Sequence, residues 1–259
     1  MTDDREKKNG VNKVPERESA RTLPRRFYKD VSVQAGNNGF SISLDGRPVK
    51  TPRKASLTVA QEALAEVIAE EWRAQGEFID PETMPATKLV NTAVDGILGQ
   101  EAAVAAEIVA YAGSDLTCYR AEQPVQLMAL QAHAWNPVLD WAQEALGAQF
   151  VVTEGVVHVE QPPEAVQAVA DAVARYDALS LAGLYVMTTL TGSVLIALAH
   201  ACGRLTAAEA WAAAHVDEDF QISRWGEDSE AMERRARRWS EFQTASRLFA
   251  IVNDGAPQV

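Results

Sequence analysis

The residue types that usually perform catalysis occur in this sequence, but their spacing does not assemble a recognisable site. The four histidines, His133, His158, His200 and His215, lie far apart along the chain. His200 and Cys202 differ by two positions, which places them about 200° apart around a helix and does not suit a shared metal ion. The sequence also has no glycine-rich phosphate loop, zinc-protease motif or nucleophile elbow. We therefore expect no catalytic residue, no metal site and no cofactor.

Carboxylates are the most abundant ionisable groups. The chain has 36 Asp and Glu against 24 Lys and Arg, a net charge of −12, and residues 60–118 hold eleven acids against Arg73 and Lys88. Such a field repels nucleic acids and anionic lipids and favours a basic partner. Solvated helix faces account for this acidity. An enzyme that binds a small cationic substrate in an acidic cleft stays open as the alternative.

One short segment combines acids with large apolar side chains in an unusual way. Residues 216–228 contain five acids around Phe220, Ile222 and Trp225. We interpret this segment as a loop that offers aromatic anchors beside charge, as interaction surfaces do. The arginines that follow it are spaced as i,i+4 partners of Glu230 and Glu233, which predicts a solvent-exposed face laced with ion pairs.

The elements that position these groups begin with a small antiparallel β-meander. Residues 25–59 alternate apolar and polar side chains, and Asp45-Gly46 supplies a tight hairpin turn. The period then changes to 3.6, which predicts a helix from about residue 60 that Thr58 caps.

The rest of the chain is predicted to be helical, with an extended excursion or a short hairpin at residues 149–160. Pro137 is expected to kink or break its helix. The predicted fold class is thus α+β, with a small antiparallel meander plus helix followed by a larger all-α orthogonal helical bundle. The predicted domains are a disordered tail at 1–22, an α+β domain at 23–82, a helical domain at 83–252 and a C-terminal tail at 253–259.

Residues 181–202 form an uncharged stretch of membrane-spanning length. Polar residues and glycines interrupt it, so we interpret it as one buried helix at the centre of a bundle. A membrane-associated assembly factor that uses this stretch is the second alternative. Cys118 and Cys202 are too few and too distant for a disulfide framework, which favours two buried thiols.

A set of motifs in a fixed order carries a family resemblance over about residues 24–250. The motifs are Arg26-Phe27-Tyr28-Lys29, Leu44-Asp45-Gly46-Arg47-Pro48-Val49-Lys50-Thr51-Pro52, Glu70-Glu71-Trp72, Met84-Pro85-Ala86-Thr87, Asn91-Thr92-Ala93, Asp115-Leu116-Thr117-Cys118-Tyr119-Arg120-Ala121, Asp217-Glu218-Asp219-Phe220-Gln221 and Trp225-Gly226. Together they resemble the F1-ATPase assembly chaperones that protect the F1 α subunit in mitochondria and α-proteobacteria.

This resemblance implies a non-enzymatic protein that binds the unassembled F1 α subunit, prevents its aggregation and releases it for assembly with β. It implies a cytoplasmic location in bacteria and the mitochondrial matrix for eukaryotic relatives. We further expect a monomer that is not an integral membrane protein and binds no nucleic acid. The implied partner-binding residues are Asp217, Glu218, Asp219, Gln221, Trp225, Glu70 and Glu71. The implied structural residues are Trp72, Asp45, Gly46, Arg47 and Pro48.

Overall fold

The computed structural model describes residues 23–254, and the chain begins there with a small antiparallel sheet. Strand β1 (Val31–Gly36) pairs with β2 (Gly39–Leu44), which also pairs with the short strands β3 (Arg47–Pro48) and β4 (Thr58–Val59). Asp45 and Gly46, between β2 and β3, both have positive φ angles, 49° and 77°. The meander and its Asp-Gly turn are therefore confirmed.

Helix α1 (Glu62–Arg73) packs on this sheet through a buried stripe that includes Leu64 and Ile68. The expected Thr58 cap is wrong, because Thr58 lies in β4 opposite Ser41. The residue before the helix is Gln61, whose side chain caps no helix N–H but donates to the Val252 carbonyl at 3.3 Å. Pairing in the sheet thus decides the start of α1.

The remaining elements are almost entirely helical. Between residues 81 and 146 the helices are α2 (Pro85–Thr92), α3 (Glu101–Ala110) and α4 (Val125–Trp141), with short 3₁₀ or π turns at Pro81–Thr83, Ala93–Ile97, Tyr111–Ser114, Leu116–Cys118 and Ala142–Leu146. After residue 160 they are α5 (Pro163–Val173), α6 (Ala178–Thr191), α7 (Val194–Ala201), α8 (Ala207–Ala214), α9 (Val216–Trp225) and α10 (Ser229–Val252). The predicted α+β fold with a helical C-terminal region is confirmed.

The uncharged stretch 181–202 is two helices, and the prediction of one is wrong. Gly192 ends α6 with a φ of 68°, and the Ser193 side chain caps α7 by accepting from Ile196 N. The fully buried Asp115 carboxylate accepts hydrogen bonds from Ser193 Oγ at 2.7 Å and from Leu195 N at 3.1 Å. A carboxylate from an earlier segment therefore holds this break in the core, and burial raises its pKa.

The structure decides two further predictions, one on residues 149–160 and one on Pro137. Residues 149–160 form an extended excursion, in which β6 (Thr153–Glu154) pairs in parallel with β5 (Tyr119–Arg120), so they are not a hairpin. Helix α4 continues through Pro137, so the proline does not break it.

One buried apolar cluster extends from the sheet to α10. It includes Tyr28 and Ile42 at the N-terminal end and Phe242 and Leu248 on α10. The division at 82/83 stays a prediction, and the cluster continues across it. The predicted tail at 1–22 and residues 255–259 of the predicted C-terminal tail lie outside the described residues.

The two cysteines, both expected to be buried, differ in their exposure. Cys118 is buried, Cys202 is half-buried, and both are free thiols. Burial, with the nearby Asp115 charge, raises the pKa of the Cys118 thiol to about 12. Between residues 23 and 254 no helix is both long enough and apolar enough to cross a membrane.

Candidate partner-binding site

The acidic–aromatic segment is a helix, and its interpretation as a loop is wrong. Helix α9 starts directly after His215 and ends at Gly226, whose φ is 88°. Asp217, Glu218 and Asp219 occupy its first turn. Carboxylates there face the positive end of the helix dipole, so the acid run itself favours the helix start.

Arginines of α10 neutralise part of this charge. Asp219 forms an ion pair with Arg235 at 2.5 Å, while the Glu218 oxygens lie 3.9 Å from Arg235 and 3.7 Å from Arg238. Arg238 also donates to the Leu190 carbonyl at 3.0 Å, which ties α10 to the end of α6. Asp219 is thus tightly paired, whereas Glu218, half exposed and at the longer distances, keeps acceptor capacity for a partner.

Asp217, the third carboxylate of this turn, is hydrogen-bonded to a buried side chain. Asp217 Oδ1 accepts from the Gln131 side chain at 2.7 Å, and Gln131 in turn accepts from Ala121 N at 2.8 Å. Gln131 is buried on α4. These two hydrogen bonds join α9, α4 and the end of β5 and fix the orientation of the acidic turn.

The other end of α9 presents an aromatic side chain to solvent. Trp225 is 80% exposed, and Gln221, one turn earlier, is exposed as well. The guanidinium of Arg224 lies 5.2 Å from the ring centre of Phe220, which covers this half-buried ring. Trp225 therefore does not belong to the core and is available to a partner.

His215 supports the start of α9 from inside. It is buried against Trp211, with ring centres 3.8 Å apart, and Nδ1 lies 2.8 Å from the Trp211 carbonyl oxygen. Nε2 is buried without a hydrogen-bond partner among the described residues. Burial lowers the pKa of this imidazole, although the nearby Glu218 charge opposes the shift and Arg235 and Arg238 favour it.

The two adjacent glutamates of the other acidic motif differ in their surroundings. Glu70 is exposed. The Glu71 carboxylate accepts from Ala86 N at 2.6 Å and from Thr87 N and Oγ1 at 2.7 Å each, and thereby caps α2. Burial raises the pKa of Glu71 even though these hydrogen bonds lower it. Glu71 thus has a structural partner that the sequence reading did not anticipate.

The residues expected to be structural lie mainly in the β-meander. Asp45 accepts from Lys29 N at 3.0 Å and Asp30 N at 2.8 Å, and these hydrogen bonds lower its pKa. Gly46 completes the turn, and Arg47 and Pro48 form β3 with their side chains exposed. Trp72 is half-buried and packs edge-on against Tyr28, with ring centres 5.7 Å apart.

The structure does not bring the two acidic motifs together. Glu70 and Glu71 line a depression of about 270 Å³ with Arg247 of α10, whereas α9 pairs with Arg235. Twelve residues of α10 separate these arginines, which corresponds to roughly 18 Å. Within residues 23–254, no group of three or more His, Cys, Asp and Glu is placed to hold a metal ion.

Sequence reasoning missed two features of this region. Of the predicted i,i+4 pairs on α10, Glu230–Arg234 forms at 2.5 Å, but the described residues show no Glu233–Arg237 ion pair. The arginines that matter for α9 are Arg235 and Arg238, which no local spacing indicates. The exposure of Val156 and Val157 was missed too. The run of β-branched residues at 149–160 was the sequence feature that could have indicated an exposed apolar segment.

Comparisons with known proteins agree with this architecture. The family described as ATP12 chaperone protein matches residues 25–143. The mitochondrial protein atp12 of Schizosaccharomyces pombe is 24% identical over 223 residues, covering 81% of this chain and 76% of its own.

Two solved structures are similar over most of their lengths. The Atu1473 protein of Agrobacterium tumefaciens is 48% identical, with a TM-score of 0.85 over 89% of this chain and 87% of its own. Atp12 of Paracoccus denitrificans is 39% identical, with a TM-score of 0.82 over 88% of this chain and 98% of its own.

Proposed function

This chain belongs to the ATP12 chaperone family, and from that premise we propose that it binds the unassembled F1-ATPase α subunit, prevents its aggregation and releases it for assembly with β. The family inferred from the sequence motifs is confirmed, and we propose the F1 α subunit as the protein that this chain binds. An isolated subunit exposes an interface meant for its neighbour, and such a surface aggregates unless a second protein covers it.

The exposed face of α9 is the observation that carries this proposal. It presents the half-exposed carboxylate of Glu218, the exposed amide of Gln221 and the exposed ring of Trp225 on one rigid helix. An aromatic anchor beside charge suits a contact that must be specific and yet be displaced by the true partner.

The other implied contact residues have different parts in the proposed interface. Asp219 and Asp217 act through their bonds to Arg235 and Gln131, which orient the helix. Glu70 contributes from its exposed position, whereas Glu71 acts by holding the start of α2. The cytoplasmic location and the monomeric state stay predictions.

The direct test is a pull-down of separately expressed F1 α and F1 β by the tagged full-length protein, each subunit freshly diluted from denaturant. Light scattering of the same samples follows aggregation. We expect the protein to retain α and suppress its scattering, and to do neither for β. Equal retention of both subunits, or of neither, would contradict the proposed function.

Two variants test whether α9 makes the contact. Glu218→Gln removes one charge from a surface position, and Trp225→Ala removes an exposed ring, so each should change the free energy of unfolding by about 0.5 kcal/mol or less. Each should weaken α retention by about fivefold or more if its side chain is an anchor. The matched controls Glu144→Gln and Leu98→Ala alter exposed residues elsewhere and should retain α as the unmodified protein does.

A further inference from the structure

A second exposed apolar surface lies away from the acidic turn of α9. Val156 is 97% exposed, Val157 72% and Val125 76%. We call these three residues the valine surface. Single exposed apolar residues are ordinary, but β-branched residues grouped at one place are not expected on a surface that meets only water.

One backbone hydrogen bond and one side-chain contact bring the loop valines near the start of α4. Gly155 N donates to the Arg120 carbonyl at 2.9 Å, where β6 runs beside β5. The Glu122 side chain lies directly over Gly155, so close that a β-carbon there would be 2.8 Å from its Oε1. Val156 and Val157 follow Gly155, and Val125 follows Glu122 by three residues. The loop valines therefore lie at the N-terminal end of α4.

The helix that carries Val125 also contacts the helix that carries the acidic turn. Gln131 of α4 donates to the Asp217 carboxylate of α9 at 2.7 Å, and Trp135, one turn further along α4, donates to the Ala213 carbonyl of α8 at 2.7 Å. Val125 lies about 9 Å of helix before Gln131, so α4 links the valine surface to the start of α9.

The surroundings of the valine surface indicate what covers it. Two exposed carboxylates, those of Glu122 and Glu154, lie beside the valines. Among the described residues, the backbone N–H and C=O groups of Val156 and Val157 make no hydrogen bond to the protein. An extended polypeptide supplies partners for such backbone groups, and its basic side chains complement the carboxylates.

We infer that the valine surface is a docking site for an extended segment of the unassembled client subunit, in which apolar side chains are flanked by Lys or Arg. This inference rests on the proposed function, because it extends the α9 contact by a second, apolar one. A strand segment left bare by a missing neighbour exposes unpaired backbone groups and apolar side chains, and the short β5–β6 pair offers it an edge.

The experiment uses the full-length protein, a V156S/V157S variant and two probes. The first probe is F1 α diluted from denaturant. The second is a labelled synthetic peptide in which Val and Lys alternate, compared with peptides in which Val is replaced by Ser or Lys by Glu. Leu98→Ser, at another exposed apolar residue, is the matched control. V125S is the second test variant, and thermal melts followed by circular dichroism confirm that each variant is folded.

We expect the unmodified protein to bind the Val–Lys peptide more tightly than either comparison peptide. V156S/V157S should weaken peptide binding and α retention by about tenfold, and Leu98→Ser should change neither. Peptide binding that V156S/V157S and V125S leave unchanged would overturn the docking site. Peptide binding that falls in these variants while α is never retained would keep the docking site and contradict the α subunit as client. Retention of α at full strength by all variants would keep the α subunit as client and contradict the docking site.

Discussion

At the scale of single residues, His215 is the buried titratable group closest to the proposed contact. Its ring stacks on Trp211 and lies under the first turn of α9, where Glu218 from α9 and Arg235 and Arg238 from α10 face it. Burial lowers its pKa in the folded state, whereas an unfolded chain keeps a value of about 6.5. The neutral form is therefore part of the folded structure.

The depressed pKa of His215 predicts a loss of stability in mild acid. The folded state binds the proton less readily than the unfolded state, so the stabilising contribution is complete above about pH 6.5 and is lost as the pH falls below it. The dependence of the unfolding free energy on pH should be steeper than in a His215→Phe variant, by up to about 1.4 kcal/mol per pH unit.

Denaturant unfolding between pH 7.5 and 5.5 measures this difference. The raised pKa of Asp115 acts in the opposite sense, because folding then favours proton binding, but it contributes equally to both proteins and cancels. His133→Gln, at an exposed histidine, should keep the slope of the unmodified protein. Equal slopes for the unmodified protein and His215→Phe would show that the His215 pKa is not depressed.

At the scale of elements, the adjacent glutamates of α1 allow a matched test of helix capping. Glu71→Ala leaves Ala86 N–H and Thr87 N–H without their acceptor in a half-buried place, and should cost about 2 kcal/mol of unfolding free energy. Glu70→Ala removes an exposed carboxylate one residue earlier and should cost about 0.5 kcal/mol or less. Urea unfolding curves of both variants measure the contrast, and equal losses would contradict the capping role.

The same elements show what the sequence predicted and what it could not. The predicted Asp45-Gly46 turn depends on neighbours within a few residues and is confirmed. The left-handed Gly147 at a helix end and the Thr206–Glu209 capping box have equally local causes. The break at Gly192-Ser193 depends also on Asp115, which approaches from another segment. An uncharged run therefore predicted one helix where a distant carboxylate helps to make two.

For the candidate site, too, the sequence identified the residues but not the contacts that they make with distant segments. The acids and Trp225 were identified from the sequence, because composition alone marks a mixed acidic and aromatic surface. Their helical conformation was missed although the acid run favours a helix start. Their pairing with Arg235 and Arg238 of the next helix and with Gln131 of α4 has no local signal and could not be predicted. The inward role of Glu71 was missed for a similar reason, since its partners are the N–H groups of another helix.

At the scale of the whole molecule, the continuous core has a consequence for unfolding. The sheet and α1 contribute Ile42 and Ile68 to the same buried cluster as Phe242 and Leu248 of α10. Residues 23–82 therefore have no separate core to retain when the helices separate, and a small unit of this size is marginal alone. A two-domain reading of the sequence leaves open whether the parts unfold together, and the shared core favours a single step.

We therefore predict one cooperative unfolding transition, measured with fluorine-labelled tryptophan. Trp72 reports the N-terminal part, and Trp135, Trp211 and Trp239 report the helices, with each resonance assigned by a Trp→Phe variant. All resonances should change at the same urea midpoint, and that midpoint should equal the one for helix loss by circular dichroism. Loss of the Trp72 signal at a lower urea concentration would show that residues 23–82 unfold first. The helical part would then be stable without the sheet, and α9 would keep its place against α10 in its absence.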